Sequence, residues 1–319
     1  VFDGTRLSPL MKAIVVREHG GFDRLLFEQA EKPRIKPDEV LVAVKATGIN
    51  HLDLWVRKGV PGHKFPLPMI PGTDVAGEIA ELGSLATGFE IGDRVAVMPG
   101  FADPLSEQAL SGQDNIARDY GIFGETRNGG CAEYLDVPAR NLMRMPAGMS
   151  FTDAAACPLA FLTAWTMLKK ADVKAGDLVL MHAAGSGVTS AGIQLAKMIG
   201  ANVIATAGRD EKLEKARKLG ADHVINYRGD WVEEVKKLTQ RAGVEVPQID
   251  LGVWLSAEVE PRSVRDAEAV PARCPEAASA DQAIAVLLGV HRRRLEPHVD
   301  VRLGAVLPVA IVDGAQAFP

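Results

Sequence analysis

The chain has 319 residues, of which 47% are hydrophobic and 24% charged, and its formal net charge at pH 7 is −5. At roughly 150 residues per domain this length predicts two domains, and the composition excludes general disorder, collagen and coiled coil. Since there is no basic excess, nucleic acid and anionic membranes are not expected partners. Cys131, Cys157 and Cys274 lie far apart and form no Cys-x-x-Cys pair. We therefore expect a cytoplasmic protein with no disulfide framework, no four-cysteine zinc site and no membrane span.

The first part of the chain, from Met11 to about residue 150, is predicted to be rich in strands. Its short β-branched or alternating runs are separated by Pro-Asp, Pro-Gly and Gly-Asp turn signals. Many short strands with such regular turns favour a small, barrel-like β domain. The predicted strands are Lys12–Val16, Glu39–Lys45, Val75–Ala80 and Arg94–Val97.

After about Ser150 the pattern changes to apolar strands that alternate with helices. A helix from Ala154 to Leu168, capped by Thr152 and Asp153, is predicted to come first. The alternation that follows indicates a parallel sheet built from right-handed βαβ units. The predicted strands are Asp177–His182, Asn202–Ala207 and His223–Asn226, and the predicted helices are Ala191–Gly200, Glu211–Leu219 and Trp231–Arg241.

The loop after the first parallel strand carries the strongest local signal for a cofactor. Small residues fill it from Ala183 to Thr189, between a strand and a helix. Backbone N–H groups at the start of that helix can bind a pyrophosphate, and small side chains allow its close approach. A tight turn that binds no ligand is the alternative. The residues predicted to contact the cofactor here are Gly185, Ser186, Gly187 and Val188.

The end of the next strand bears on the choice between NAD and NADP. An NAD site usually has an acidic residue there that binds the ribose hydroxyls, whereas this chain has Ala207, followed by Arg209 and Lys212. A missing carboxylate with cations nearby suits a 2′-phosphate and favours NADP. The alternative is that both cations flank a solvated helix start, where Asp210 and Glu211 are partners of the helix dipole.

Seven ordered segments share a pattern with a known family: Gly48–Asp53, Pro71–Glu78, Gly88–Val97, Gly129–Tyr134, Leu162–Trp165, Gln194–Lys197 and Lys218–Asp222. Together they resemble the medium-chain dehydrogenase/reductase superfamily, which includes zinc-type alcohol dehydrogenases and zinc-free quinone oxidoreductases. The resemblance covers about Met11 to Asp250. It implies an α/β fold, with a GroES-like catalytic domain over residues 11–150 and a Rossmann dinucleotide-binding domain over residues 151–294. Residues 295–319 are expected to return to the catalytic domain.

The resemblance also implies that the catalytic zinc ligands are absent. Asn50 stands where zinc-dependent members have a cysteine, and Thr73 and Asp74 replace their histidine and glutamate. Leu159 occupies the position of the third ligand. Because zinc needs three or four N, S or O ligands in fixed geometry, no catalytic zinc is expected.

The lobe that holds a structural zinc in related proteins has also lost its cysteines. By the surrounding match their positions hold Asp103, Ser106, Ala109 and Ala117. His51 and His63 remain as an alternative metal pair, although histidines of this kind are more often surface or hydrogen-bonded residues.

Without zinc, hydrogen bonds must polarise the substrate carbonyl. Zinc-free relatives reduce quinones or α,β-unsaturated carbonyls, whose developing oxyanion needs only donors and a proton. The resemblance places Asn50 beside the nicotinamide as the oxygen donor, and Asp53 as the residue that orients the neighbouring loop, with a plain turn residue as the alternative. Leu52 replaces the Ser or Thr of the alcohol dehydrogenase proton relay, which argues against alcohol oxidation.

Three further cofactor contacts are implied by the resemblance. Thr163 matches a contact to the nicotinamide end, with a helix hydroxyl bonded to its own backbone as the alternative. Lys212 and Tyr227 match the residues that hold the 2′-phosphate in NADP-using relatives, with an apolar strand cap as the alternative for Tyr227. Thr189 replaces the last fingerprint glycine, so its Cβ is expected to weaken cofactor binding or shift the loop.

We therefore expect a zinc-independent, NADPH-dependent reductase of a quinone or an α,β-unsaturated carbonyl. An alcohol dehydrogenase of the same superfamily is the first alternative, and a non-catalytic dinucleotide-binding protein is the second. From about Leu251 the match is loose and the family's later strands are missing, as a frameshift, a misread sequence or a truncation would produce. Because those strands often pair across a dimer in the family, a homodimer is an open expectation.

Overall fold

A computed structural model describes residues 9–240, 244, 246 and 247, and it divides the chain into two compact units between Leu159 and Ala160. The predicted extension of the second domain to residue 294, the return of residues 295–319 and the altered stretch from Leu251 lie outside the described residues. In the described part of the chain, no helix is long and apolar enough to cross a membrane.

The helices are α1 His51–Lys58, α2 Glu107–Leu110, α3 Phe151–Ala155, α4 Pro158–Lys170, α5 Gly187–Ile199, α6 Asp210–Lys218 and α7 Trp231–Leu238. The strands are β1 Leu10–Val16, β2 Leu25–Glu31, β3 Glu39–Gly48, β4 Asp74–Leu82, β5 Arg94–Val97, β6 Gly100–Phe101, β7 Gly121–Ile122, β8 Tyr134–Pro138, β9 Leu142–Arg144, β10 Leu178–Met181, β11 Asn202–Ala207, β12 His223–Asn226 and β13 Val246–Pro247.

The first unit is built around an antiparallel five-stranded sheet in the order β8-β3-β4-β5-β9. Strands β3 and β4 pair in an antiparallel manner, and the last residue of β3, Gly48, lies opposite the first residue of β4, Asp74. The end of β3 and the start of β4 therefore lie at the same edge of the sheet. Since α1 begins three residues after β3 ends, this register brings the start of α1 to the same edge. The apolar side chains that form the core of the sheet are Val40, Val42, Val75, Ile79, Val95, Val97, Phe123, Leu135, Val137 and Leu142.

The second unit is a parallel sheet in the order β12-β11-β10-β13, as a Rossmann-type connection requires. Helices α5 and α6 form the crossovers from β10 to β11 and from β11 to β12. The carboxyl ends of β10, β11 and β12 therefore meet at one edge, which is where such sheets bind ligands. All the strands predicted from the sequence are present, with small shifts at their ends.

Three helix predictions were wrong in their bounds, and one of them, Trp231–Arg241, ends early at Leu238. The predicted helix Ala154–Leu168 is two helices, because Pro158 has no N–H to donate and disfavours a helical conformation at the residue before it. The first of these, α3, is capped by Ser150, whose Oγ accepts the N–H of Asp153 at 3.1 Å, and not by Thr152 and Asp153. The predicted helix Ala191–Gly200 begins four residues earlier, because Ser186 caps α5.

Candidate active site

Asn50 and Asp53 open α1 as a capping box and tie it to a neighbouring turn. One carboxylate oxygen of Asp53, Oδ2, accepts the N–H of Asn50 at 2.6 Å, and the other, Oδ1, accepts the N–H of Gly72 at 2.7 Å. Only glycine fits at position 72, since its φ is +103° and a Cβ there would lie 2.7 Å from the backbone N of Cys131. Asp53 therefore fixes the start of the helix against this turn.

The side chain of Asn50 is held by Asp74. Its Nδ2 donates a hydrogen bond to Oδ2 of Asp74 at 2.9 Å, and Oδ1 of Asp74 accepts the N–H of Leu159 at 2.7 Å. An ionised carboxylate only accepts hydrogen bonds, so the Asn50 amide must direct its nitrogen toward Asp74. The same nitrogen carries a second hydrogen, which can serve another acceptor. Asn50, Asp53 and Asp74 are 3%, 7% and 3% exposed, so the cluster is shielded from bulk water.

The two carboxyl groups of this cluster have perturbed acidities. Burial raises the pKa of Asp53 and the pKa of Asp74, each to about 6. Hydrogen bonds from Asn50, Gly72 and Leu159 favour the ionised forms and oppose this shift, whereas the charge of Asp53 raises the pKa of Asp74 further. Desolvation outweighs these hydrogen bonds, and both groups are mainly ionised at neutral pH.

Asn50 and Asp74 stand at positions that the resemblance matches to the family's zinc-binding residues, but the cluster does not fit a zinc ion. All four oxygens of Asp53 and Asp74 accept N–H groups, and a metal would leave those buried donors unpaired at a cost of about 1–3 kcal/mol each. Thr73 has a buried hydroxyl without a hydrogen-bond partner, and Leu159 is apolar, so neither supplies the imidazole or thiolate that zinc favours. Over the described ranges, no group of three or more His, Cys, Asp or Glu residues could hold a metal.

The glycine-rich loop of the second unit is closed by a network of hydroxyl groups. Ser186 accepts the N–H of Thr189 at 3.1 Å and donates its own hydroxyl to that of Thr189 at 3.0 Å. The Thr189 hydroxyl donates to the carbonyl of His182 at 2.7 Å. Thr189 is buried, and it joins the start of α5 to the end of β10. The residue that replaces the expected glycine thus braces the loop.

Lys212 and Tyr227 lie against glycines at the carboxyl edge of the parallel sheet. A Cβ built on Gly185 would overlap Cδ of Lys212 and lie 3.0 Å from its Nζ, so the lysine lies across the glycine-rich loop. A Cβ on Gly208 would lie 2.8 Å from ring atoms of Tyr227, whose ring therefore covers that backbone. Arg209 follows directly as the N-cap of α6. The second unit thus gathers the predicted phosphate-binding residues at one edge.

The remaining predicted cofactor residues lie on two helices. Gly187 and Val188 are the first residues of α5, where backbone N–H groups have no partner within the helix. Thr163 lies buried in α4. The structure therefore assembles two sets, with Asn50 and Asp53 in the first unit and the loop, Arg209, Lys212 and Tyr227 in the second.

Sequence reasoning missed two acidic side chains. It noted Asp74 only as a lost zinc ligand, although a carboxylate kept at that position without a metal signals a need for hydrogen-bond donors. It did not consider Glu125, which is buried, with its Oε1 3.5 Å from Nε2 of His63. A lone glutamate next to the apolar run Tyr120–Gly124 was the available signal. His63 also contacts the ring of Phe65, with 4.4 Å between ring centroids.

Two family models match the chain. Residues 36–147 match the alcohol dehydrogenase GroES-like domain, and residues 187–249 match the zinc-binding dehydrogenase family. A solved structure of an NAD-dependent alcohol dehydrogenase is 47% identical to this chain, with a TM-score of 0.70. The match covers 73% of this chain and 69% of the chain in that structure. These matches confirm the predicted α/β fold class of a GroES-like domain with a Rossmann sheet.

Curated relatives include alcohol dehydrogenase-like and quinone oxidoreductase proteins. A zinc-type alcohol dehydrogenase-like protein of Schizosaccharomyces pombe is 38% identical over 73% of this chain and 67% of its own length. The quinone oxidoreductase of Homo sapiens is 31% identical over 74% of this chain and 65% of its own. A chloroplastic NADPH-dependent alkenal/one oxidoreductase of Arabidopsis thaliana is 36% identical over 70% of this chain and 54% of its own.

Proposed function

This chain belongs to the medium-chain dehydrogenase/reductase superfamily, and we propose that it is a zinc-independent reductase that uses NADPH to reduce a quinone or an α,β-unsaturated carbonyl. The three curated relatives described above bear the names of dehydrogenases or oxidoreductases, and two of the three reduce quinones or alkenals and enones by name. It is therefore an NAD(P)H-dependent oxidoreductase, and its substrate class and cofactor preference form the proposal.

The contact between Asn50 and Asp74 carries this proposal. The carboxylate of Asp74 turns the amide nitrogen of Asn50 toward itself at 2.9 Å and leaves that nitrogen one further hydrogen. A donor held in this way can stabilise an oxyanion without reorganising during the reaction, and one such donor contributes roughly 100- to 1000-fold to a rate. Quinones and enones need only this assistance, because their reacting carbon is already electrophilic.

The second unit supports NADPH as the reductant. The N–H groups at the start of α5 suit a pyrophosphate, and Lys212, Arg209 and Tyr227 offer a cationic and hydrogen-bonding surface for a 2′-phosphate. The cofactor, when bound, supplies the hydride. A cytoplasmic location and a homodimer stay predictions.

An alcohol dehydrogenase activity is the second candidate, and the names of several relatives favour it. Leu52 argues against it, because its buried aliphatic side chain stands where the proton relay of alcohol oxidation needs a hydroxyl. A dinucleotide-binding protein without turnover is the third candidate.

One set of assays separates these candidates. The purified chain is supplied with NADPH or NADH and a naphthoquinone or a linear enone, and separately with an alcohol and NAD⁺ or NADP⁺. We expect NADPH oxidation with a quinone or enone, and metal analysis with less than stoichiometric zinc. Alcohol oxidation that depends on stoichiometric zinc would contradict the proposal, and NADPH binding without turnover on any substrate would favour the third candidate.

A further inference from the structure

The carboxylate of Asp210 is held at the end of β11 by a side chain of the neighbouring strand. Strands β11 and β12 pair so that Ala207, the last residue of β11, lies opposite Asn226, the last residue of β12. From this position Asn226 donates a hydrogen bond from Nδ2 to Oδ1 of Asp210 at 3.1 Å. Asp210 opens α6, three residues after β11 ends. An acid is therefore held beside the strand end at which Ala207 itself supplies no carboxylate.

The backbone fixes the orientation of the Asn226 amide. Its Oδ1 accepts the N–H of Arg228 at 3.1 Å, so the nitrogen of the amide is the atom that faces Asp210. An ionised carboxylate only accepts hydrogen bonds, and the amide nitrogen is therefore its correct partner. This contact uses Oδ1 of Asp210, which is an exposed residue, and leaves Oδ2 for another donor.

The cations at this edge of the sheet do not neutralise Asp210 by direct contact. Within the part of the chain that the structure describes, Asp210 forms no ion pair with Arg209 or Lys212. Lys212 instead lies across the glycine-rich loop, with its Nζ 3.0 Å from a Cβ built on Gly185. A ligand at this edge would therefore meet an available carboxylate oxygen as well as two cations.

These two kinds of group recognise different dinucleotides. The adenosine ribose of NADH has free 2′- and 3′-hydroxyls, which donate hydrogen bonds that a carboxylate can accept. The same ribose in NADPH carries a 2′-phosphate, whose charged oxygens are held by cations and repelled by a carboxylate. An edge that presents both groups can therefore bind either ribose.

We propose that Asp210 is a specificity-determining residue for the cofactor, and that its Oδ2 accepts the 2′-hydroxyl of NADH, so that the chain takes NADH as well as NADPH. This role rests on the cofactor site of the proposed function, in which Arg209 and Lys212 hold the 2′-phosphate. The preference between the two cofactors is then a balance between one carboxylate and two cations. The competing role for Asp210 is that of a partner of the α6 dipole, which its neighbour Glu211 would share.

Calorimetric titration with NADH and with NADPH tests this role without turnover. Asp210→Asn removes the charge with little change of shape and keeps an oxygen that can accept from Asn226. Glu211→Gln, which changes an exposed acid in the same helical turn, is the matched control. For D210N we expect the affinity for NADH to fall about 10-fold, because a hydrogen bond to a charged group is lost. The affinity for NADPH should rise about 2- to 5-fold, because the repulsion of the 2′-phosphate is relieved. E211Q should bind both cofactors as the wild type does.

The outcomes separate this role from the proposed function. If Asp210 served only the helix dipole, D210N and E211Q would lower the melting temperature alike, and the ratio of the NADH and NADPH affinities would stay at its wild-type value. That result would overturn the role of Asp210 alone, as would a wild type that binds NADPH but no NADH. A wild type that binds neither cofactor would overturn the proposed function as well. Because the titrations need no turnover, absence of quinone or enone reduction would overturn the proposed reaction and leave the measured affinities to decide on Asp210.

Discussion

When Asp74 is replaced by asparagine, the stability of the variant relative to the wild type should increase as the pH rises. The same replacement should slow the reaction. The carboxylate of Asp74 accepts hydrogen bonds from the Asn50 amide and from the N–H of Leu159. An asparagine has nearly the same shape, but it carries no charge and presents an NH₂ group to one of these two donors. The change therefore removes a buried charge and one acceptor together.

The size of the pH effect follows from the acidity of Asp74, whose pKa is raised from 3.8 to about 6 by burial. Such a carboxyl holds its proton more firmly in the folded chain than in the unfolded chain. The stabilisation that comes from this more firmly held proton is therefore fully present below pH 3.8, and it is lost as the pH rises through about 6. A shift of about two units corresponds to roughly 3 kcal/mol, of which about 2 kcal/mol falls between pH 4.5 and pH 8.

Urea unfolding of the wild type and D74N at pH 4.5, 6 and 8 measures this difference. We expect the free energy of unfolding of D74N to gain about 2 kcal/mol on the wild type across this range, whereas the exposed Asp38→Asn control should run parallel to the wild type. The rate of D74N with a quinone should fall about 10- to 100-fold, because the Asn50 amide loses a hydrogen bond to a charged group. Parallel curves for D74N and the wild type would refute the assignment of a buried, raised-pKa carboxylate.

Three further predictions concern single contacts. Lys212→Ala should weaken NADPH binding about 10- to 100-fold in calorimetric titration and leave NADH binding nearly unchanged, since one charge-assisted hydrogen bond is lost; equal losses would count against a 2′-phosphate role. Thr189→Val should lower the free energy of unfolding by about 1–3 kcal/mol, because the carbonyl of His182 loses the Thr189 hydroxyl as a donor, whereas T189S should be as stable as the wild type. A T189V variant as stable as the wild type would contradict the role of this hydrogen bond in holding the loop. Gly72→Ala should cost about 2 kcal/mol or more, from positive φ and the contact with Cys131, whereas Gly62→Ala meets only the strain of its φ; equal melting temperatures would contradict the packing at Gly72.

The strands and the family pattern were predictable because they depend on local signals. Arg94–Val97 and His223–Asn226 are bounded in the structure as the apolar runs indicated. Helix starts were less predictable, since Ser150 and Ser186 compete with neighbours that are equally good caps, and only the folded backbone decides which hydroxyl reaches an N–H. The break before Pro158 was visible in the sequence, but the apolar periodicity on both sides of it suggested one helix.

The candidate site was predictable in its residues but not in its contacts. The resemblance pointed to Asn50 and Asp53, but the bond from Asn50 to Asp74 spans 24 positions and depends on the pairing of β3 with β4. The loop contact of Lys212 across Gly185 likewise depends on the meeting of strand ends in the sheet. Glu125 escaped notice because a carboxylate in a sequence is normally solvated, and its burial shows only in the fold.

We propose that the Asn50 amide, held by Asp74, replaces zinc as the group that stabilises the substrate oxygen. The most direct test is the rate of NADPH oxidation with a naphthoquinone by the wild type and by Asn50→Leu, each with its metal content measured in the same sample. We predict that wild-type turnover does not depend on zinc. The rate of N50L should be lower than that of the wild type by about 100-fold or more. An N50L variant as fast as the wild type, or a wild-type rate that rises in proportion to bound zinc, would contradict this assignment.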